Sequence, residues 1–150
     1  MTDVSIPASP PAGVPATPAG PRAPLAAWFG QWNLDTEAFQ RKTRFFRVEG
    51  ETFGWRIRTR CTGPVKFREV MRMPRPGDWR FTPEQLPGTT ISADQATATT
   101  LDYAACRAGW VEHVWTLSAD DPAGTYVITV ELEGYTPQTF RPRFVEPPGP

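Results

Sequence analysis

Residues 110–145, WVEHVWTLSADDPAGTYVITVELEGYTPQTFRPRFV, decide the fold class of this chain. Three runs within them, 110–117, 125–133 and 139–145, are expected to be β-strands joined by tight turns. Apolar and polar side chains alternate in the middle run. Tyr126, Ile128, Val130 and Leu132 fall on one face, and Thr125, Thr129, Glu131 and Glu133 fall on the other. This period of two residues is typical of a strand that is buried on one side.

The corner at 118–124 precedes this middle strand and contains two aspartates, a proline and a glycine, which are turn residues. Asp120 and Asp121 are expected to bond nearby backbone amides there. Tyr126 then opens the strand, where immunoglobulin-like sandwiches often carry a tyrosine whose hydroxyl bonds back to the main chain. The stretch predicts an all-β fold, an immunoglobulin-like antiparallel β-sandwich of about seven to eight strands. It predicts no activity.

The length of 150 residues suits one domain. No apolar run approaches the roughly 20 residues of a membrane helix, and the first residues lack the pattern of a secretion signal. We therefore expect a cytoplasmic protein without a membrane partner. In that compartment the two cysteines, Cys61 and Cys106, are expected to be free thiols.

The chain divides into three parts. Residues 1–27 are rich in proline and alanine and predict a disordered or extended arm outside the core. Two interpretations of this arm stay open: a solvated tail, or a segment that lies along a neighbouring subunit. Residues 28–146 are expected to form the sandwich, and 147–150 a C-terminal tail. Pro142 predicts that the last strand lies at a sheet edge, because proline donates no ladder hydrogen bond.

Charge is segregated along the chain. Residues 41–80 carry twelve basic and four acidic side chains, whereas 81–140 carry one basic and eight acidic ones. Two strands are expected at 53–61 and 65–73, and a hairpin between them would place two basic rows side by side on one sheet face. The cations of these rows are Arg56, Arg58, Arg60, Lys66, Arg68 and Arg72. They are the predicted partner-binding residues.

Two further residues bear on this surface. Glu69 falls on the apolar side of its strand, so that either a β-bulge shifts the register or Glu69 is drawn toward the arginine rows. Trp79 lies in a long proline-rich connection, 74–95, and is predicted to be exposed and to face the partner.

Catalytic patterns are absent from the sequence. His113, the only histidine, lies in register with Val111 and Trp115, which favours a satisfied core or edge imidazole over a general base. There is no Gly-x-Ser-x-Gly elbow, phosphate loop or dinucleotide fingerprint. The two cysteines and His113 would leave a structural zinc ion one ligand short. We expect no enzyme, no cofactor and no metal.

A family resemblance covers about residues 28–146. Its motifs are Trp28-Phe29-Gly30, Gly50-x-x-Phe53-Gly54-x-Arg56, Trp115-x-Leu117, Pro122-Ala123-Gly124-Thr125-Tyr126 and Phe140-x-x-x-Phe144-Val145. Their order resembles the bacterial family known as domain of unknown function 3859. The resemblance implies a single immunoglobulin-like sandwich, and it implies no activity, cofactor or catalytic residue.

The leading functional hypothesis is a non-enzymatic interaction module, an accessory or structural subunit of a larger assembly. It would dock through the basic sheet face, the 74–95 connection and the N-terminal arm. Its partner would be an acidic protein surface, another subunit or a second copy of the chain.

Two alternatives belong to other classes. A nucleic-acid or polyanion-binding domain would use the arginines, but the nearby Trp55 and Phe67 point to the other face, so that no aromatic platform interleaves the cations. A small carbohydrate-binding or hydrolytic domain would use a cleft at the loop ends.

Overall fold

The structure, a computed structural model, describes residues 1–5, 8 and 20–149. Thirteen β-strands form in these residues, and there is no helix among them. The strands are β1 (Thr2–Asp3), β2 (Ala26–Asn33), β3 (Ala38–Arg41), β4 (Arg44–Phe46), β5 (Thr52–Arg58), β6 (Val65–Arg72), β7 (Thr89–Ile91), β8 (Thr97–Ala104), β9 (Trp110–Thr116), β10 (Gly124–Thr125), β11 (Val127–Leu132), β12 (Gln138–Phe140) and β13 (Arg143–Val145). The strands outnumber the predicted seven to eight because seven of the thirteen are short pieces of two to four residues.

Three sheets enclose one core. The first sheet has the strand order β1-β9-β5-β2-β3, the second β12-β11-β6-β8-β7, and a small third sheet β10-β13-β4. Inward side chains of the two large sheets meet in the middle, where the rings of Trp55 and Phe67 lie 5.5 Å apart in an edge-to-face contact. The predicted β-sandwich is confirmed.

The stretch that predicted the fold behaves as expected. Ile128, Val130 and Leu132 of β11 are buried, and the tyrosine hydroxyl of the buried Tyr126 donates a hydrogen bond of 2.6 Å to the carbonyl of Pro122. Asp121 Oδ2 accepts a 2.8 Å hydrogen bond from the backbone N–H of Ser118. The tyrosine bond is confirmed, and the aspartate bond is confirmed for Asp121 but not for Asp120, whose carboxyl group accepts no backbone hydrogen bond within the described residues.

The closing strand is divided at Pro142. Its first half, β12, is an edge strand of the second sheet, as the proline predicted, and its second half, β13, pairs with β10 and β4 in the third sheet. The Pro142 carbonyl accepts a 2.9 Å hydrogen bond from the N–H of Tyr126. The chain therefore changes sheets at the one residue that cannot donate a ladder bond.

The prediction of free thiols is wrong. Cys61 and Cys106 form a disulfide with a Cα–Cα distance of 6.1 Å. Cys61 follows β5 and Cys106 precedes β9, and because β5 and β9 are antiparallel neighbours their connections meet at one end of the sheet. Disulfides are typical of oxidising compartments and rare in the cytosol, and the cytoplasmic location stays a prediction.

The N-terminal residues also differ from the predicted arm. Thr2–Asp3 pair with the edge of β9, and the Met1 side chain is fully buried in the core. The ammonium group of Met1 donates a 2.9 Å hydrogen bond to Ser118 Oγ. Much of the proline-rich arm, residues 6, 7 and 9–19, lies outside the described residues. In the described part of the chain, no helix has the length and apolarity that a membrane crossing needs.

Candidate functional site

The predicted basic hairpin does not form. β5 pairs with β2 and β9 in the first sheet, whereas β6 pairs with β8 and β11 in the second, because the connection 59–64 crosses from one layer to the other. Arg56 and Arg58 consequently lie on the outer face of the first sheet. Lys66, Arg68 and Arg72 are exposed on the outer face of the second sheet, and Arg60 is exposed in the crossing connection. The single basic face expected from the sequence is thus divided between opposite sides of the sandwich.

Trp79 is not the exposed aromatic that the sequence predicted. Its side chain is half-buried and packs edge-on against Trp115, with 6.1 Å between the ring centroids. Its indole N–H donates a 2.9 Å hydrogen bond to the carbonyl of Gln95. The ring therefore fastens the long connection to the core. Its N–H group and much of its surface are occupied by these internal contacts and do not face a partner.

A different group of side chains meets on the outer face of the first sheet. Strand pairing places Trp28 of β2, Arg56 of β5 and Glu112 of β9 in one row across the sheet. Phe39 of the edge strand β3 stands beside Trp32. We call Trp28, Trp32, Phe39, Arg41, Arg56 and Trp110 the outer cluster.

Arg56 is the centre of the outer cluster. Its guanidinium carbon lies 4.2 Å from the ring centroid of Trp110, 5.4 Å from that of Trp32 and 5.6 Å from that of Phe39. Its Nε atom is 3.4 Å from Glu112 Oε1. Cation–π attraction and this ion pair together hold the guanidinium in one place.

Two glycines make room for this arrangement. Gly30 and Gly54 face each other across β2 and β5 in the row next to Arg56. A Cβ atom at Gly30 would lie 2.0 Å from the Gln40 carbonyl oxygen, and one at Gly54 would lie 2.0 Å from that of His113. Only glycine permits so close an approach of neighbouring backbones. A Cβ atom at Gly30 would also lie 2.8 Å from the ring of Phe39, so that the missing side chain makes room for one ring of the outer cluster.

A cavity of about 270 Å³ opens beside the outer cluster. We call it the cleft. It is lined by Val4, Ser5, Trp32, Leu34, Glu37, Arg56, Ala105, Arg107, Trp110, Glu112 and Val114. The residues after β1 supply one wall, where Ser5 Oγ accepts a 2.6 Å hydrogen bond from the N–H of Val114. The segment that follows β1 is therefore part of this site.

Two hydrogen-bond donors at the cleft have no acceptor. Trp32 Nε1 and Arg56 Nε are buried, and neither forms a hydrogen bond within residues 1–5, 8 and 20–149, although Arg56 Nε is ion-paired with Glu112. Only 8% of Trp32 is exposed. Burial raises the pKa of the nearby Glu112 carboxyl, an effect that Arg56 and Arg107 partly offset. The cleft therefore combines a buried donor without a hydrogen bond, Trp32 Nε1, with a partly desolvated carboxyl group, and native proteins keep few such unsatisfied donors.

A buried network between the two large sheets contains Asp3 and His113 of the first sheet and Glu69 of the second. His113 Nδ1 is 2.7 Å from Glu69 Oε2, and His113 Nε2 is 2.5 Å from Asp3 Oδ2. Trp55 and Trp115 donate indole hydrogen bonds of 2.6 Å and 2.8 Å to the two oxygens of Glu69. Glu69 is thus neither in a bulge nor drawn to arginines, and the expectation of a satisfied core imidazole at His113 is confirmed.

Electrostatics keep this network charged. Burial alone would lower the pKa of His113, but the carboxylates of Glu69 and Asp3 outweigh it and raise the pKa to about 10. Burial likewise opposes ionisation of Asp3, yet the charge of His113 holds the pKa of Asp3 below its usual range. Only 2% of His113 is exposed, which leaves no access for a substrate. Among the described residues, no cluster of three or more His, Cys, Asp or Glu side chains could hold a metal ion.

Comparison with known proteins identifies the family. An immunoglobulin-like protein from Pseudomonas aeruginosa is similar in structure, with a TM-score of 0.49 and 13% sequence identity over 87% of this chain and 100% of that chain. No curated protein matches the sequence. The resemblance to domain of unknown function 3859 is not confirmed and stays a prediction. Residues 29–144 match a family model described as PM0630 beta sandwich domain. Because this match covers most of the sequence, the chain belongs to the PM0630 beta sandwich domain family.

Proposed function

We propose that this chain is a non-enzymatic binding module whose ligand lies in the cleft on the outer face of the first sheet. The observation that carries the proposal is the buried indole N–H of Trp32, which has no acceptor in the described part of the chain. A buried donor left without a partner costs about 1–3 kcal/mol. Because Trp32 Nε1 exposes less than 1 Å² to solvent, a ligand that supplies an acceptor reaches it, and removes this cost, when a neighbouring side chain of the cleft moves aside.

The surroundings of Trp32 support the same proposal. Arg56 is fixed by Trp110 and Glu112, so that little side-chain entropy is lost when a ligand binds to it. Val4, Leu34 and Val114 add apolar surface to the lining. An apolar wall with a few fixed polar groups is the usual composition of a small-ligand site.

We propose a non-enzymatic module because the titratable groups that could serve in catalysis already have structural partners. The only histidine is enclosed by two carboxylates in the core. Asp121, half of the aspartate pair at the corner, is 1% exposed and accepts hydrogen bonds from two backbone amides. These groups have structural partners, which supports binding rather than turnover.

A role as an accessory or structural subunit of an assembly remains part of this proposal, with the cleft in place of the divided basic face. The basic face predicted from the sequence suited a strongly acidic partner, whereas the cleft does not. Glu37 and Glu112 line it together with Arg56 and Arg107, so that cations and carboxylates are balanced there.

The test uses the six indole N–H signals of the protein in ¹⁵N NMR spectra. The probes are neutral saccharides, short peptides and anionic polymers at millimolar concentration. A ligand in the cleft should shift the signals of Trp32 and Trp110 and leave those of Trp55 and Trp115, which donate to Glu69, in place. Trp32→Phe assigns the key signal. If no probe of the three classes moves the Trp32 signal, the proposal is wrong.

A second candidate, binding of single-stranded nucleic acid, is favoured by one observation. The guanidinium carbon of Arg41 lies 5.0 Å from the ring centroid of Trp28, and that of Arg58 lies 6.0 Å from that of Trp110. Arginines and aromatic rings therefore alternate on this face, contrary to the sequence-based expectation that no platform interleaves them. Such surfaces bind single strands through base stacking and phosphate contacts.

An oligothymidine titration separates this candidate from the first. Affinity should fall steeply with salt, and Arg41→Glu combined with Arg58→Glu should abolish it. Lys66→Glu with Arg68→Glu, on the opposite face, is the matched control for the same charge change. Absence of binding at low salt would remove the candidate.

A further inference from the structure

We infer that the cleft takes a neutral, hydroxyl-rich ring, such as one sugar residue of a glycan. This inference rests on the proposed function, since it names the ligand class of the same cleft. Three properties of the cleft each point to this ligand class: its size, its charge and its hydrogen-bonding groups.

The size of the cleft limits the ligand to about one ring. Its volume of about 270 Å³ lies just below the range of about 300–1,000 Å³ that drug-sized ligands occupy. A folded peptide or a protein loop could place only about one side chain in it. A single six-membered ring with its substituents would.

The charges of the lining favour a neutral ligand. Arg56 and Arg107 contribute two cations, and Glu37 and Glu112 contribute two carboxyl groups. A phosphate or carboxylate would be attracted by the first pair and repelled by the second, and an ammonium group would meet the reverse. An uncharged polar ligand avoids both penalties and still uses the polar atoms.

Hydrogen bonding then selects hydroxyl groups. The cleft offers a donor at Trp32 Nε1, which forms no hydrogen bond within the described residues and becomes reachable when a neighbouring side chain moves. It offers an acceptor in the carboxyl group of Glu112, which lies beside Arg56 Nε. A hydroxyl group carries one donor and two acceptor lone pairs on one atom. Adjacent hydroxyls on a ring can therefore accept from Trp32 and donate to Glu112, which one carbonyl or one ammonium group cannot do.

The apolar part of the lining matches the rest of a sugar ring. Val4, Leu34 and Val114 lie on the same cleft as the polar groups. Sugar rings present C–H groups on their faces and hydroxyls around their edges, so that both kinds of surface would be covered at once. A purely apolar ligand would instead leave Trp32 Nε1 and the Glu112 carboxyl unsatisfied.

The experiment titrates the protein with neutral saccharides, namely glucose, galactose, mannose and N-acetylglucosamine and their short oligomers. Binding is measured by calorimetry and by the Trp32 indole signal. Trp32→Phe keeps a ring and deletes the free donor, and it should weaken binding about tenfold, the equivalent of one lost hydrogen bond. Glu112→Gln should weaken binding by a similar factor. Trp79→Phe, which removes an indole N–H away from the cleft, should leave affinity unchanged.

The outcomes separate this inference from the proposed function. If a heparin fragment or a short peptide shifts the Trp32 signal and no neutral saccharide does, the sugar inference is overturned and the binding module stands. If no probe shifts the signal, both fall. Unfolding midpoints of the variants show whether each is folded, and Glu112→Gln provides the comparison if Trp32→Phe is not. Saccharide binding that is equally strong in wild type, Trp32→Phe and Glu112→Gln would also overturn the inference.

Discussion

His113 Nε2 lies 2.5 Å from Asp3 Oδ2, although the two residues are 110 positions apart in the chain. The other ring nitrogen is 2.7 Å from Glu69. A single imidazole thus joins the N-terminal strand β1 to the centre of the sandwich. Because β1 continues into Val4 and Ser5, this buried contact also positions one wall of the cleft.

Removing the Asp3 carboxylate should destabilise the fold strongly. Asp3→Asn leaves the charge of His113 without one of its two partners, and breaking a buried ion pair in this way costs about 3–5 kcal/mol. Urea unfolding measures the change. The exposed substitution Glu133→Gln is the control and should change the free energy of unfolding by less than about 0.5 kcal/mol. A loss below about 1 kcal/mol for Asp3→Asn would show that β1 does not need the pair.

The same network should give stability a defined pH dependence. His113 has a folded-state pKa of about 10 against an ordinary value of 6.5, so that its contribution is complete below about pH 6.5 and is lost as the pH rises toward 10. The pKa of Asp3 is lowered from 3.8, so that its contribution is present above that value and is lost as the pH falls through the lower folded-state pKa.

NMR of the single histidine tests this directly. The imidazole signals of the folded protein should not titrate between pH 5 and about 8.5, whereas in urea they should titrate near the ordinary value of about 6.5. The urea midpoint should be lower at about pH 9.5 than at about pH 6. A folded-state titration near pH 6.5 would contradict the ion-paired imidazolium.

The hydroxyl group of Tyr126 should stabilise the fold in addition to the packing of its buried ring. Tyr126→Phe keeps the ring in the core but leaves the buried Pro122 carbonyl without its 2.6 Å hydrogen bond, at a cost of about 1–3 kcal/mol. Tyr103→Phe, which removes the hydroxyl group of a half-buried tyrosine on β8, is the matched control. Equal unfolding free energies for the two variants would mean that the corner bond adds nothing specific.

The disulfide should be a major source of stability. It closes a loop of 45 residues, and the chain-entropy relation gives about 4 kcal/mol for a loop of that length. Cys61→Ser combined with Cys106→Ser should lose about this amount relative to wild type without reductant, and should match wild type in the presence of reductant. Thiol labelling of the unfolded, unreduced protein should find no reactive thiol. Labelling of both cysteines would show that the bond does not form.

Local patterns predicted the sandwich well because period-two alternation and turn chemistry depend on few residues. The strand at 125–133, the tyrosine bond and the proline edge all follow from neighbours in sequence. The short strands β1, β3 and β7 do not, because their pairing is decided by the sheet edges that they meet. Met1 carries no sequence pattern that indicates a place in the core.

The site was harder to predict than the fold. The alternation in 53–61 and 65–73 correctly predicted that the arginines face outward, but it contained no information on which sheet each strand joins. Trp28 and Trp32 share a face, which the sequence shows, yet that face is the outer one and Phe29 supplies the core ring. The missed signal was Gly30 between the two tryptophans: a row without a side chain indicates a close backbone approach.

The crossings between the two large sheets at 59–64 and 105–109 lie at the same end of the sandwich, and Cys61–Cys106 fastens one to the other. The disulfide therefore ties the two crossings together at that end. At the opposite end, where Thr52, Arg72 and Thr116 lie, the connection 117–126 crosses between the layers and no disulfide joins it to a second connection. Thermal fluctuations that separate the layers should begin at the end without the disulfide. Amide protons near Thr116 and Arg72 should exchange with deuterium sooner than those near Arg58 and Val65.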